Sequence, residues 1–329
     1  MKIALLFVGY GHVAKRFVQL LDESRTALTA LDIEPVMVGT ATRKHGRAND
    51  GSCAPFITEA FGQIEPGRFD AHVMVETTTL DVRSGEPAIS HVRAALAAGA
   101  HVITANKGPA AFAYRSLTDE AARAGLSFLC EGAVMDGIPV LNLVRDSMPA
   151  VTVTGFRGVV NSTTNFMLTA MENGEEYGAA LERMQAAGVA EADPSLDVDG
   201  WDAAAKAAVL ANVLLDAETT PHAVVREGIG PATGERAIEA RTRGRRVKLV
   251  ASGSGRGAAV QLRVGLEELA ADDPLAILEG QANALELDTW PLGRIVITQR
   301  DGGLEKTAYA LLADLVTVAR RTSNRSIDR

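Results

Sequence analysis

Apolar and polar positions follow two different rhythms along this chain. The run Ile3 to Val8 stops at Gly9-Tyr10-Gly11 and gives way to Val13, Phe17, Leu20 and Leu21 at helical spacing, which predicts a strand, a tight turn and a helix. Pro35 to Gly39 and Ala71 to Glu76 predict a second and a third strand. Pro87 to Ala98 predicts an Ala-rich helix, His101 to Thr104 a short β-branched strand, Thr118 to Gly125 a helix, and Leu126 to Leu129 a further strand. Strands alternating with helices at this spacing predict an α/β fold, a doubly wound parallel sheet reaching to about residue 131.

Past that point the rhythm changes. Thr152 to Val160 and Val247 to Ser252 predict longer strands, Gln261 to Val264 and Arg294 to Thr298 further ones, with helices near Phe166 to Glu172 and Trp201 to Asp216. A mixed sheet with helices on one face fits, an α+β arrangement. Thr307 to Arg320 predicts a last helix, with Tyr309, Leu312, Leu315, Val316 and Ala319 on one side. The expected division is 1–132, joined by a C-terminal helix within 303–329, and 133–302.

Composition narrows the class. The 329 residues carry 33 Lys+Arg against 41 Asp+Glu, a net charge of −8, with 47% hydrophobic residues and 22% charged ones. This is a soluble globular composition, long enough for roughly two domains with cores of their own. Cys53 and Cys130 form no CxxC pair, which excludes a disulfide framework or zinc ribbon and implies a reducing compartment. The first apolar run is too short for a signal peptide, and Lys206 interrupts the longest Ala/Val/Leu stretch well before the roughly 20 residues of a membrane span. A cytoplasmic protein with no membrane or nucleic-acid partner is expected. The cluster Arg241, Arg243, Arg245, Arg246 lacks interleaved aromatics and reads as a solvated loop.

Four segments carry candidate chemistry. Gly9-x-Gly11-x-x-Ala14 lies between the first strand and its helix, where the first glycine permits a tight turn, the second admits a pyrophosphate, and the small residue lets helix and strand pack closely. That is a Rossmann-like dinucleotide fingerprint. The carboxylate that usually meets the adenosine ribose is missing from Val38-Gly39-Thr40-Ala41-Thr42-Arg43-Lys44, so Arg43 and Lys44 are candidates for a 2′-phosphate, favouring NADP over NAD; two solvated cations are the alternative. In Glu191-x-Asp193-Pro194-x-x-Asp197-x-Asp199-Gly200-Trp201-Asp202-x-x-x-Lys206, Asp202 and Lys206 share one helix face among alanines. Such a half-buried lysine can be tuned for proton transfer, although a structural ion pair explains the spacing equally well. His101 to Gly108 puts Lys107 just past a parallel strand, at the edge where ligands bind. Asn161 to Asn165 offers helix-capping side chains, and Glu131 to Pro139 (EGAVMDGIP) a hinge-like crossing.

The ordered set HVITANK, EGAVMDGIP, GVVNSTTNFML and GVAEADPSLDVDGWDAAAK resembles the homoserine dehydrogenase family over nearly the whole chain, in a form with no room for a regulatory domain after the last helix. The resemblance implies interconversion of L-homoserine and L-aspartate 4-semialdehyde with NAD(P), and a place in threonine and methionine biosynthesis. It implies Lys206 and Asp202 as acid/base pair, Lys107 near nicotinamide and substrate, Glu191 as ligand of the substrate amino group and Asp197 in support. Cofactor contacts are expected at Gly9, Gly11, His12, Val13, Arg43, Lys44, Thr77, Lys107 and Gly303, with Thr307 close by. Glu131, Val134, Asp136 and Ile138 occupy the positions of a monovalent cation site, Na+ or K+. Here the family's Gly-rich run is replaced by the bulkier Val134-Met135-Asp136-Gly137. A homodimer or higher homo-oligomer through the second domain's sheet is expected. Two other readings stay open: a dehydrogenase of another small hydroxy or amino acid, and a non-catalytic dinucleotide sensor.

Overall fold

The computed structural model describes residues 1–42, 52–186 and 194–327. The chain divides into two compact units, Met1–Leu141 with Gly303–Arg329, and Asn142–Gly302. The first begins β1 (Lys2–Val8), α1 (His12–Glu23), α2 (Arg25–Ala30), β2 (Glu34–Ala41) and α3 (Ala54–Gly62). It continues through β3 (Ala71–Glu76), α4 (Ala88–Ala97), β4 (His101–Thr104), α5 (Lys107–Arg123) and β5 (Phe128–Leu129), and a one-turn α6 (Val140–Asn142) leads out of it. The second holds β6 (Thr152–Val159), α7 (Ser162–Glu172), α8 (Tyr177–Ala186), α9 (Ser195–Val198), α10 (Trp201–Leu214), β7 (Val225–Arg226), α11 (Ala232–Thr242), β8 (Arg245–Ser254), β9 (Gln261–Ala270), β10 (Asn283–Trp290) and β11 (Gly293–Gln299). The chain then returns to the first unit as α12 (Leu304–Ile327).

In the first unit all strand pairs are parallel, in the order β2-β1-β3-β4-β5. Both faces are buried, so the strands read as continuous apolar runs. Ile3, Leu5 and Phe7 pack with Phe17, Leu311, Leu315 and Val318 on one face, while Leu6, Val8 and Met74 meet Ile57, Val92 and Leu117 on the other. The chain runs from β1 to β2 on one side and then to β3 on the other. This switch opens a crevice beyond the carboxyl ends of β1 and β3, the usual ligand position in such sheets.

The second unit has the order β11-β10-β6-β8-β9-β7, antiparallel except for the β7 and β9 pair. Strand β10 is not among the predicted strands, although Leu285 and Leu287 alternate with Glu286 and Asp288. Their charges are met across the sheet, Glu286 by Arg157 at 3.5 Å and Arg294 at 3.7 Å, Asp288 by Arg294 at 2.8 Å.

Three expectations need correction. Helix α5 starts at Lys107 instead of Thr118, because the Asn106 side chain accepts from Gly108 N and Pro109 is tolerated in a first turn. The division between units falls between Leu141 and Asn142 instead of at 132, because the EGAVMDGIP loop is tied to α12. The arginine cluster is solvated as expected at Arg241, Arg243 and Arg245, but it is not a loop. It ends α11 and opens β8, with Arg246 2.6 Å from the buried Glu172 and Arg243 3.0 Å from Glu268. Among the described residues no helix is long and apolar enough to cross a membrane.

Candidate active site

In the first unit the glycine turn has the geometry its sequence promised. Gly9 has φ +85°, and a Cβ there would lie 2.8 Å from the backbone carbon and oxygen of Thr77, so only glycine fits. Thr77 closes the contact by donating from Oγ1 to Gly9 O at 2.9 Å. Gly9 N donates to Ala41 O, which brings the carboxyl end of β2 to the same place. At Gly11 a Cβ would meet nothing within 4 Å, and no side chain caps α1 there. His12 and Val13 open that helix, where the first backbone N–H groups have no helical acceptor and the space beside Gly11 is open, as a pyrophosphate requires. The residues present therefore fit a dinucleotide. Arg43 and Lys44 lie outside the described residues. Along β2 and Thr42 the sole carboxylate is Glu34, at the opposite end.

A buried network that the sequence did not reveal supports this edge. Glu76, fully buried at the end of β3, accepts from Thr78 N at 3.1 Å and from the Thr78 hydroxyl, and from Thr104 Oγ1 at 3.1 Å. Asn106 donates to Thr78 Oγ1 at 3.1 Å while capping α5, whose first residue is Lys107. His91 accepts from Cys53 N at 2.9 Å, leaving Nδ1 as its proton-bearing nitrogen, 3.8 Å from Glu76 Oε1. The available signal was a carboxylate closing an otherwise apolar strand at the ligand edge.

The EGAVMDGIP loop keeps its bulk inside. Val134 and Met135 are buried, and Asp136, at φ 50°, accepts from Gly303 N at 3.1 Å and Thr307 Oγ1 at 3.4 Å. Glu131 is buried, its Oε1 accepting from Leu141 N at 3.0 Å, and Ile138 O accepts from Val140 N at 2.8 Å. Among the described residues no group of three His, Cys, Asp or Glu side chains is placed to hold a metal ion.

In the second unit the acidic segment ends at Gly200, whose left-handed φ of 78° turns the chain into α10. The Arg226 guanidinium lies 3.9 Å over the Trp201 ring at that start. One turn on, Lys206 Nζ lies 2.9 Å from Asp202 Oδ2 and donates to Val160 O at 2.5 Å. The two side chains are 13% and 15% exposed, and the alanines around them are buried, so this is the half-buried setting the sequence predicted. Asn161 donates from Nδ2 to Asp197 Oδ1 at 2.7 Å and to Asp202 Oδ2 at 2.9 Å. Asp197 thus joins the pair. Burial, and then the charge of Asp202, push the Asp197 carboxyl above its ordinary pKa, against hydrogen bonds from Asn161 and Thr163 and the charge of Lys206. Glu191 lies outside the described residues.

That shift has a testable sign. A carboxyl with a raised folded-state pKa adds stability only while protonated, below its unfolded value, and loses it as pH rises through the folded value. Asp197→Asn is therefore expected to raise the thermal midpoint at pH 7 by about 2 °C, the gap closing toward about pH 4. Calorimetry across that range checks it. A variant less stable than wild type at pH 7 would show that the ionised group is net favourable.

Buried Lys248 also went unread. Its ammonium donates to Asn165 Oδ1 at 2.9 Å and to Leu278 O, and burial brings its pKa down to about 8. Asn165 in turn donates to Ala282 O at 2.9 Å, so this cluster fastens the 278–282 segment to α7.

A parallel sheet with a glycine cradle at its switch point, joined to a second unit built on a mixed sheet, defines a dinucleotide-binding protein of the two-unit α/β type. The comparisons agree. Residues 9–131 match the family model "Homoserine dehydrogenase, NAD binding domain", and residues 139–316 match "Homoserine dehydrogenase". The chain is 33% identical to the NAD(+)-dependent homoserine dehydrogenase of Pseudomonas canavaninivorans, covering 95% of each, and 32% identical to a homoserine dehydrogenase of Sulfurisphaera tokodaii, covering 96% and 98%. The crystal structure of a homoserine dehydrogenase from Thiobacillus denitrificans superimposes with a TM-score of 0.83 at 27% identity, over 98% of this chain and 74% of that one. This chain belongs to the homoserine dehydrogenase family, and it is an NAD(P)-dependent oxidoreductase.

Proposed function

We propose that the chain interconverts L-homoserine and L-aspartate 4-semialdehyde, with Lys206 and Asp202 moving the proton. The observation that carries this is the Lys206 ammonium, held 2.9 Å from Asp202 and 2.5 Å from Val160 O in a half-buried, alanine-lined position. A nicotinamide dinucleotide held at the glycine turn would supply hydride-transfer chemistry to the carbon bearing the reacting oxygen. In the reducing direction Lys206 stabilises the charge developing on that oxygen and supplies its proton; in the oxidising direction it takes the proton back. Asp202 keeps Lys206 aimed, and Lys107, at the start of α5 behind the Asn106 cap, is by family likeness the second catalytic lysine. Glu191 takes the substrate's ammonium group and Asp197 supports substrate binding, by family likeness.

The dinucleotide is held at Gly9, Gly11, His12, Val13, Thr77, Lys107 and Gly303. The lack of a carboxylate from Pro35 to Thr42 supports NADP with Arg43 and Lys44, whereas the Pseudomonas relative is named NAD(+)-dependent. A monovalent cation at Glu131, Val134, Asp136 and Ile138 is compatible with the loop, since a carbonyl oxygen that accepts one hydrogen bond keeps a second lone pair. No step depends on it. The protein acts in the cytoplasm as a homo-oligomer, with Trp290 and Val296 exposed along β10 and β11 as support.

The test is aspartate-semialdehyde-dependent oxidation of NADPH and NADH side by side, with and without Na+ and K+, on protein whose mass is measured by light scattering. Turnover with NADPH preferred, ion dependence and a multiple of the chain mass are expected. Dinucleotide binding without turnover would leave a sensor, and turnover confined to another hydroxy acid would reassign the substrate.

A further inference from the structure

We propose that Asn161 is a positioning residue for the proton-transfer pair, its amide group bridging Asp197 and Asp202 so that Asp202 stays against Lys206. This rests on the role given above to Lys206 and Asp202. Helix capping alone accounts for only half of what the side chain does. Its Oδ1 accepts from Thr164 N at 2.8 Å, and a backbone N–H can only donate, so the orientation of the amide is fixed. The NH2 group must then face the other way, where its two hydrogens meet Asp197 Oδ1 at 2.7 Å and Asp202 Oδ2 at 2.9 Å.

The same Asp202 oxygen lies 2.9 Å from Lys206 Nζ. One neutral group thus holds two carboxylates that would otherwise repel. An amide suits this task because it donates twice without changing charge, whereas a hydroxyl carries a single hydrogen. The preceding residue contributes as well: Val160 O accepts from Lys206 at 2.5 Å. The strand-to-helix junction at 160–161 therefore grips both members of the pair, the carbonyl taking the lysine and the amide taking the aspartate. Asn161 is 4% exposed, so water does not readily replace the bridge.

Two variants separate positioning from capping. Asn161→Ser retains a capping oxygen but cannot span both carboxylates, and Asn161→Asp retains the shape and the cap while turning the donor into a third carboxylate. Both are expected to bind dinucleotide within about twofold of wild type. In both, kcat falls by about 30-fold or more and the acid limb of its pH profile moves upward, since carboxylates stripped of a donor protonate more readily. Wild-type kcat and profile in Asn161→Ser overturn the proposal. So does a loss of kcat with the limb unmoved, which marks a merely structural role. If Asn161→Ser does not fold, Asn161→Asp is read by the same two outcomes. Failure of the underlying reading looks different, since Lys206→Met would then stay active.

Discussion

Lys206→Met is expected to lower kcat for semialdehyde reduction by about 10³-fold, the upper part of the range for a group that both transfers a proton and stabilises charge. Methionine preserves the length and the packing against the alanines of α10, so loss of fold is not the expected cause. What disappears is the ammonium that Asp202 and Val160 O hold between them. Dinucleotide affinity should stay unchanged, because Lys206 is not among the residues proposed to hold the dinucleotide. Small primary amines added to the variant should restore part of the rate. Steady-state kinetics with a dinucleotide titration makes the comparison, and a kcat within tenfold of wild type would remove Lys206 from the mechanism.

The second large effect concerns stability. A Cβ on Gly137 would lie 2.1 Å from Lys306 O and 2.8 Å from its carbonyl carbon. Both partners are backbone, so the loop or the first turn of α12 must move. Displacement stretches the two hydrogen bonds that Asp136 accepts from Gly303 N and Thr307 Oγ1 and shifts a helix that contributes Ala308, Leu311, Leu315 and Val318 to the core. Gly137→Ala is expected to lose about 3 kcal/mol, seen as a fall of about 6 °C in thermal midpoint, with weaker dinucleotide binding alongside. A midpoint within about 1 °C of wild type would mean that the loop yields without cost.

What the chain discloses before folding depends on whether a residue's role is local. Gly9 and Gly11 announce themselves because a left-handed glycine and a second glycine two residues on, between an apolar strand and a helix, form a local pattern. Asp202 and Lys206 are legible because a four-residue spacing on a helix brings them together by geometry alone. Glu76, Asn106 and Lys248 act through partners 28 to 83 residues away, and no periodicity encodes such pairings. Strand β10 was legible in its alternation of Leu285 and Leu287 with Glu286 and Asp288, whereas the arginines of β6 and β11 opposite those carboxylates were not. Asn161 was half visible. Its cap is a local signature, whereas its bridge to Asp197 and Asp202 spans 36 and 41 residues.

Helix α12 belongs to a sheet whose strands were all made before residue 130. On the ribosome, therefore, Ile3, Phe7 and Phe17 emerge early and wait uncovered on one flank until the segment beyond Gly303 arrives, while the inserted 142–302 unit has everything it needs to fold in between. The portion begun first is finished last. Nascent chains arrested ahead of α12 should accordingly carry a completed inner unit flanked by an adhesive, half-built outer one, which makes this stage of synthesis the natural moment for chaperone engagement.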